Sequence, residues 1–342
     1  MKNSRVNQTV RDYIIRAIFD GVFSQRSRLP SARYLAEQCC TDLASVVATL
    51  KQLAGDGVLE EKAFGRFYVD YANQQTARSM DVVAFVAPAQ RRFFSMFIDH
   101  FQQIADRFHS MVVFVQRSEE EPIEETLLRL FQRGVRSSVI WLDYEKINSK
   151  SVKRLHDMGM KIVFFDITIH SPCADSVCLD NAAAIRTLYK HLENNSCRKI
   201  VYVGRENPEL SSYIEREQTF LDLSPSGRNY LLPWDFKKYL ASPQTNFVID
   251  TFRPELHPDG VICSDGELGI ELKKEFINNG IHDVALVCID DFDECESLGI
   301  TAYRQPFERF AERIYYCLLD QSENNDSWQA QKHRLEGELV VR

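Results

Sequence analysis

The chain has 342 residues, of which 44% are hydrophobic and 26% charged, with a net charge of −8; two or three compact domains with ordinary soluble cores are expected. No apolar run approaches the ~20 residues that span a bilayer, and the first twenty residues carry charges with no apolar h-region. Nine cysteines are scattered without C-x-x-C spacing. A membrane span, a secretory leader and a structural zinc site are therefore not expected, whereas a cytoplasmic location and reduced thiols are. The charge is unevenly placed. Residues 1–75 carry a net +2 and residues 76–342 a net −10, so a small basic segment can face phosphates that the rest would repel.

The first ~70 residues read as three helices and a hairpin. Val10, Ile14, Ala17 and Ile18 share one helical face, and Gly21 ends that helix. Pro30 breaks the chain and Ser31 caps a second helix that turns Leu35 and Ala36 inward. After the short turn Cys39-Cys40-Thr41-Asp42, Thr41 or Asp42 caps a third helix running to about Ala54, with Val46, Leu50 and Leu53 as its apolar stripe. Gly55-Asp56-Gly57 stops it. Val58-Leu59 and Phe67-Tyr68-Val69 are short strands around a turn at 63–66. Two helices joined by a tight turn and followed by a β-ribbon form a winged helix-turn-helix, here residues 1–70. Its expected partner is double-stranded DNA, because an α-helix fits the major groove. Residues 71–80 are polar, without apolar periodicity, and read as a linker.

From residue 81 strands and helices alternate. Apolar strands are predicted at Val82–Ala87, Met111–Val115, Val139–Leu142, Ile162–Phe165, Lys199–Val203, Tyr230–Leu232, Gly260–Cys263 and Ala285–Ile289, with amphipathic helices between them. The predicted fold class is α/β: the winged head, then two parallel sheets covered by helices on both faces. Ligands of open α/β sheets bind beyond the carboxyl ends of the strands, so two facing lobes would form a cleft there. Enzyme motifs are missing: no G-x-G-x-x-G, P-loop, H-E-x-x-H or G-x-S-x-G occurs. The acidic run Asp290-Asp291-Phe292-Asp293-Glu294 lacks the spacing and glycine of a calcium loop. Catalytic residues, metal ligands and cofactors are not expected.

The head resembles the GntR-family winged helix, on the residues Leu29-Pro30-Ser31-Ala32-Arg33-Tyr34-Leu35-Ala36, Leu50, Leu53, Gly57-Val58-Leu59 and Gly65-Arg66-Phe67-Tyr68-Val69. The remainder resembles the LacI-type effector domain, akin to periplasmic sugar-binding proteins. That resemblance rests on Arg91-Arg92-Phe93-Phe94, Leu179-Asp180-Asn181, Ser264-Asp265, Ile289-Asp290-Asp291, Tyr303-Arg304-Gln305-Pro306 and the ending Glu338-Leu339-Val340-Val341-Arg342. Together they resemble an arabinose-repressor-type hybrid. The resemblance implies a homodimeric repressor whose operator affinity changes when a small polar effector, a pentose or deoxyhexose, binds between two lobes. Lobe one would comprise about 81–180 and 305–327, and lobe two 181–304 and 328–342. DNA contacts would fall to Ser31, Arg33, Thr41, Ser45, Lys51, Lys62 and Arg66. The effector would meet Arg91, Phe93, Phe94, Asp166, Asp180, Asp265, Asp290 and Gln305. Asp180 and Asp265 also stand where a carboxylate can cap a helix, and one of Phe93 and Phe94 is expected in the core.

The chain departs from both families. Asp42-Leu43 and Val47 replace arginines usual in the GntR recognition helix. In the effector domain, Ile214 stands where an arginine is expected, and Arg216 matches a second arginine usually read as structural. Arg91 would then replace the missing guanidinium or mark a ligand with a carboxylate or phosphate. An anionic sugar derivative or a partner protein in the cleft is the alternative; a solute-binding protein or an enzyme ranks below it.

Overall fold

The structure, a computed structural model, describes residues 2–70, 82–88, 92–117, 121–142, 147–167, 172–206, 210–240, 242, 247–252, 258–323 and 327–342, with side chains from residue 9 onward. None of the described helices is long and apolar enough to cross a membrane.

The head comprises α1 (Lys2–Phe19), α2 (Ala32–Gln38), α3 (Leu43–Gly55), β1 (Leu59–Lys62) and β2 (Arg66–Val69). Gly21 follows α1 with φ of 78°, a left-handed conformation that glycine adopts without steric cost. Ser31 Oγ accepts from Tyr34 N at 3.2 Å and opens α2, and Asp42 Oδ1 accepts from Ser45 N at 2.8 Å and opens α3. Of the two expected caps for α3, Asp42 is the one used. The wing is antiparallel with Leu59 opposite Val69.

Helix α1 is apolar on more than the one face read from its sequence. Besides Val10, Ile14, Ala17 and Ile18, residues Ile15 and Phe19 are also buried, because α1 packs on α3 within the head and on two helices of the body. Those helices are α5 (Ile123–Gln132) and α6 (Ser149–Asp157). Head and body residues form one apolar cluster there, with Ile14 and Leu53 in the same core as Leu127 and Leu155. Polar bonds tie the edges of this contact. Arg16 Nη1 donates to Glu125 Oε1 at 2.7 Å, Gln132 Nε2 to Asp12 O at 3.3 Å, and Arg154 Nη1 to Phe19 O at 2.7 Å.

The first lobe carries β3 (Val82–Ala87), α4 (Arg92–Arg107), β4 (Met111–Gln116), α5, β5 (Ser137–Trp141), α6, β6 (Lys161–Phe165) and β7 (Asp175–Leu179). The second carries α7 (Asn181–Asn194), β8 (Ile200–Arg205), α8 (Ser211–Leu223), β9 (Asn229–Leu232), α9 (Phe236–Leu240), α10 (Phe247–Thr251), β10 (Gly260–Cys263), α11 (Gly266–Asn278), β11 (Ala285–Ile289), α12 (Asp293–Ser297) and β12 (Thr301–Arg304). The chain then returns through α13 (Phe307–Glu323), which packs on α4 and β6. It ends with β13 (Lys332–Leu335) and β14 (Glu338–Val340).

The two sheets share one winding. Their strand orders are β4-β3-β5-β6-β7-β13 and β9-β8-β10-β11-β12-β14, parallel except where β14 meets β12. In the first sheet Val83, Phe85 and Ala87 face α4 and α13, while Ala84 and Val86 face α5 and α6. Both faces are buried, which explains the unbroken apolar strands. The expectation that residues 328–342 belong wholly to lobe two is corrected: β13 pairs in parallel with β7 of lobe one, and only β14 reaches lobe two. These tail strands are short and partly polar, so each gains its place by pairing along an exposed sheet edge.

The chain thus passes between the lobes at Asp180, at Gln305 and at Gly337. The last passage is tight. Gly337 N donates to Tyr303 Oη at 2.9 Å, and a Cβ on Gly337 would lie 2.1 Å from the carbonyl oxygen of Arg304. Gly337→Ala should therefore cost about 1–3 kcal/mol through forced backbone movement, read as a lower thermal midpoint; an unchanged midpoint would show that the passage can relax.

Candidate functional site

In both sheets the strand order reverses beside the first strand, and the carboxyl ends of the strands face each other across the lobes. A cavity of about 80 Å³ lies there. Its lobe-one wall is built by Phe93 in the first turn of α4, by Trp141 and Leu142 at the end of β5, and by Asp166 just after β6. The lobe-two wall includes Arg205 at the end of β8, Tyr213 and Arg216 on α8, and Trp234 after β9. Asp265 and Glu267 at the start of α11 and Asp290 and Phe292 after β11 complete it, and Gln305 enters from the passage between lobes.

Asp166 and Asp290 hold equivalent places, each directly after the fourth strand of its lobe. Each has a left-handed backbone, with φ of 58° and 75°, a conformation that Asp tolerates better than most residues. Each also extends the sheet by one bond: Asp166 N donates to Val177 O at 2.9 Å and Asp290 N to Tyr303 O at 3.0 Å. Gln305 Nε2 donates to Asp290 Oδ1 at 2.5 Å. Oδ1 of Asp166 and Oε1 of Gln305 are inaccessible and have no partner among the described residues.

Among the described residues, two guanidinium groups set the electrostatics. Arg216, 3% exposed, donates through Nε to Asn181 Oδ1 at 2.7 Å and through Nη1 to Ser264 O at 2.8 Å. Burial works against its charge, but Asp290 and Asp166 outweigh burial and hold it protonated. Arg205 pairs with Asp265 through Nε at 2.8 Å and Nη2 at 2.6 Å, and with Glu267 at 3.1 Å. Its guanidinium carbon lies 5.1 Å from the Trp234 ring and 4.5 Å from that of Phe236. Burial pushes the Asp265 carboxyl up, yet the Arg205 charge and hydrogen bonds prevail and its pKa falls. For Asp166 burial prevails. Arg216 opposes it, Asp290 reinforces it, and the carboxyl is pushed up to about 7.

The sequence-predicted effector residues separate into groups. Phe93, Asp166, Asp265, Asp290 and Gln305 line one cavity. Asp265 also caps α11, accepting from Leu268 N at 3.0 Å. Asp180 is corrected: it caps α7, accepting from Ala183 N at 2.8 Å, and does not line the cavity. Phe94 is corrected as well, because it turns into the core against Phe85 and Phe114, with ring centroids 5.3 and 4.6 Å away. Arg91 lies outside the described residues. Ile214, in the position expected of an arginine, is 48% exposed, and among the described residues the guanidinium groups come from Arg205 and Arg216. Sequence reading missed Trp141, Arg205, Tyr213, Trp234 and Glu267. Trp141 and Arg205 each end an apolar strand, and that position was the available signal.

On the head, Ser31, Arg33, Lys51, Lys62 and Arg66 are exposed, and the body covers none of them. Ser45 is corrected. It is buried in the first turn of α3, and its Oγ donates to Asp42 Oδ2 at 2.7 Å. The Thr41 hydroxyl is inaccessible too. Lys62 bonds Glu60 at 2.9 Å and lies 5.0 Å from the Tyr68 ring. Arg66 lies 5.8 Å from the ring of Phe64, a wing-tip residue that is 92% exposed and that sequence reading passed over.

A family profile described as a periplasmic binding protein-like domain matches residues 189–342. The HTH-type transcriptional regulator PtxS of Pseudomonas putida is 27% identical over 176 residues, covering 49% of this chain and 50% of that protein. PtxS of Pseudomonas plecoglossicida is 27% identical over 198 residues, 54% of each. The chain thus spans about half the length of the curated relatives it matches. Among solved structures, a periplasmic binding protein/LacI transcriptional regulator from Alkaliphilus metalliredigens complexed with D-xylulofuranose superposes with a TM-score of 0.63 at 17% identity, covering 77% of this chain and 98% of that one. The lac repressor dimer bound to operator and the anti-inducer ONPF gives 0.63 at 14% identity, with coverage of 79% and 96%. The complex of the transcriptional regulator CelR with cellobiose gives 0.62 at 15%, with coverage of 92% and 99%. The body of this chain therefore has the two-lobed α/β fold of LacI-type, periplasmic-binding-protein-like structures.

Proposed function

We propose that this chain is a DNA-binding transcription regulator whose affinity for an operator is set by a small polar effector, a sugar, bound between the two lobes. One observation carries the reading: a winged helix-turn-helix with its basic face exposed is joined to a body whose two sheets meet at a cavity of aromatic walls and buried carboxylates. A sugar has hydroxyls at its edges and C–H groups on its faces, and this cavity offers carboxylates for the first and rings for the second. Phe93 and Trp141 would take the C–H faces, and Asp166, Asp290 and Gln305 the hydroxyls. The named relatives support the reading, as does the absence of an enzyme motif.

In mechanism, the effector binds the closed body better than the open one and shifts the population by that difference. Among the described residues, two ion pairs cross the cleft. Arg92 of α4 pairs with Glu294 of α12, and Arg334 of β13 with Glu215 of α8; opening separates both pairs. We further propose a GntR-type head on a LacI-like body, the arabinose-repressor-type arrangement, acting in the cytoplasm as a homodimeric repressor that reads paired half-sites and is relieved by its effector.

Selection of bound fragments from genomic DNA by the purified full chain, followed by binding isotherms, tests the proposal. Specific enrichment is expected; uniform, sequence-independent retention would defeat it. On the selected site, Arg33→Ala and Arg66→Ala should weaken binding. Each that meets a phosphate should lower the slope of log K against log salt by about 1, whereas Lys190→Ala, an exposed position on α7, should leave both unchanged.

The cavity also makes stability depend on pH. Asp166 titrates at about 7 in the fold and at about 3.9 in the unfolded chain, so between those values the folded chain binds more protons. Without ligand, the Asp166 contribution to stability is present at low pH and is lost as pH rises through about 7. Asp166→Asn should therefore flatten part of the fall in thermal midpoint across this window, and identical profiles for both proteins would reject the assignment.

A further inference from the structure

We infer that the interlobe cavity takes a polyhydroxylated ligand carrying neither carboxylate nor phosphate, seated through hydrogen-bond donors on Asp166 and Gln305, and that it rejects the acid and phosphate forms of the same sugar. This narrows the ligand class and rests on the reading of the cleft as an effector site.

The first observation is the polarity of what the protein leaves unpaired. Gln305 is 4% exposed. Its Nε2 is committed to Asp290, while its Oε1 has no partner among the described residues. Asp166 Oδ1, on the facing wall, is in the same condition. The Gln305 oxygen is an acceptor, as is Asp166 Oδ1 in the ionised carboxylate, and a buried acceptor is satisfied only by a donor. A hydroxyl or an ammonium group brings one; a carboxylate or phosphate brings further acceptors.

The second observation is charge. Among the described residues lining the cavity there are two guanidinium groups and four carboxylates, those of Asp166, Asp265, Glu267 and Asp290. Arg205 is bound along one edge by Asp265 and Glu267. Arg216 is held by neutral acceptors, and its charge already serves Asp290 and Asp166. An anionic ligand would draw on that same charge while lying against both carboxylates. Burial raises the Asp166 pKa and Asp290 adds to that rise, and Arg216 offsets only part of it. The remaining walls are mostly apolar, with the rings of Phe93, Trp141 and Trp234 beside Leu142, Leu210 and the single hydroxyl side chain of Ser212; they suit C–H faces and give an anion little solvation.

Titration calorimetry and thermal shifts on the full chain at neutral pH would use matched sets built on ribose, arabinose, xylose, fucose, glucose and galactose. Each sugar would be offered free, as its aldonate, as its phosphate and, for glucose and galactose, as the 2-amino sugar. In whichever set binds, the acid and phosphate should be weaker by about 100-fold, the scale of an uncompensated like-charge contact. The amino sugar against the free sugar tells whether an ammonium or a hydroxyl occupies Asp166. An aldonate or phosphate that binds tightest of its set overturns the inference while leaving the effector reading intact. If no compound shifts the melting temperature or the DNA affinity, the effector reading falls and the inference with it. Asp166→Asn should narrow the gap between neutral and acid forms by about tenfold, and Glu267→Gln, which removes a half-buried carboxylate, should narrow it too if the first variant does not fold. A gap that neither substitution changes overturns the charge argument.

Discussion

A parallel strand can be followed by another only if the chain returns along the outside of the sheet, and here helices make most of those returns. All strands of a lobe except β14 then run the same way, and their carboxyl ends gather on one rim where loops take over from the sheet. Repeating the winding and setting the two rims face to face encloses the cavity without any segment devoted to it. The same constraint places Asp166 and Asp290. The sheet bond continues for one residue past the fourth strand of each lobe while the backbone turns left-handed, and the two aspartates come to line the cavity from opposite walls.

Charge buried at this rim costs desolvation, and ion pairing seldom recovers all of it. The cleft tolerates it by connection. Asp265 bonds Arg205, Ser264 Oγ, Leu268 N and, at 3.4 Å, the Tyr213 hydroxyl, so one carboxylate joins β8, β10, α8 and α11. Arg216 links the start of α7 to the end of β10. The pairs that cross between lobes are of another kind. Arg92–Glu294 and Arg334–Glu215 lie toward solvent, where such a pair contributes about 0–1 kcal/mol. The bonds within the lobe are thus buried and many, whereas those between the lobes are few among the described residues and exposed.

Much of the architecture was legible because local and global preferences agree. The Ser31 and Asp42 caps, the glycine after the first helix and the strands buried on both faces each leave a mark within a few residues. The tail strands left little: Lys332–Leu335 alternates polar with apolar and takes its place from the edge of β7. The site was legible where a side chain follows a strand, as with Asp166 and Asp290. It was obscure where a residue serves two masters. Asp180 and Ser45 have the chemistry of contacts but spend it on helix starts. Trp234 reaches the cavity from a stretch without regular pattern, and Arg205 was overlooked because a charge ending an apolar strand reads as the strand's boundary.

Helix α1 has a consequence for dissecting the protein. Its apolar residues fill the head and cover α5 and α6 together, so the border between head and body in sequence is not a border in packing. A fragment begun after residue 80 would lose the lid of lobe one and bare the side chains that Ile14, Ile15 and Phe19 help to shelter. A head cut free would bring its own sticky flank. Swapping heads between proteins of this build would require carrying the matching surface of α5 and α6 along with them.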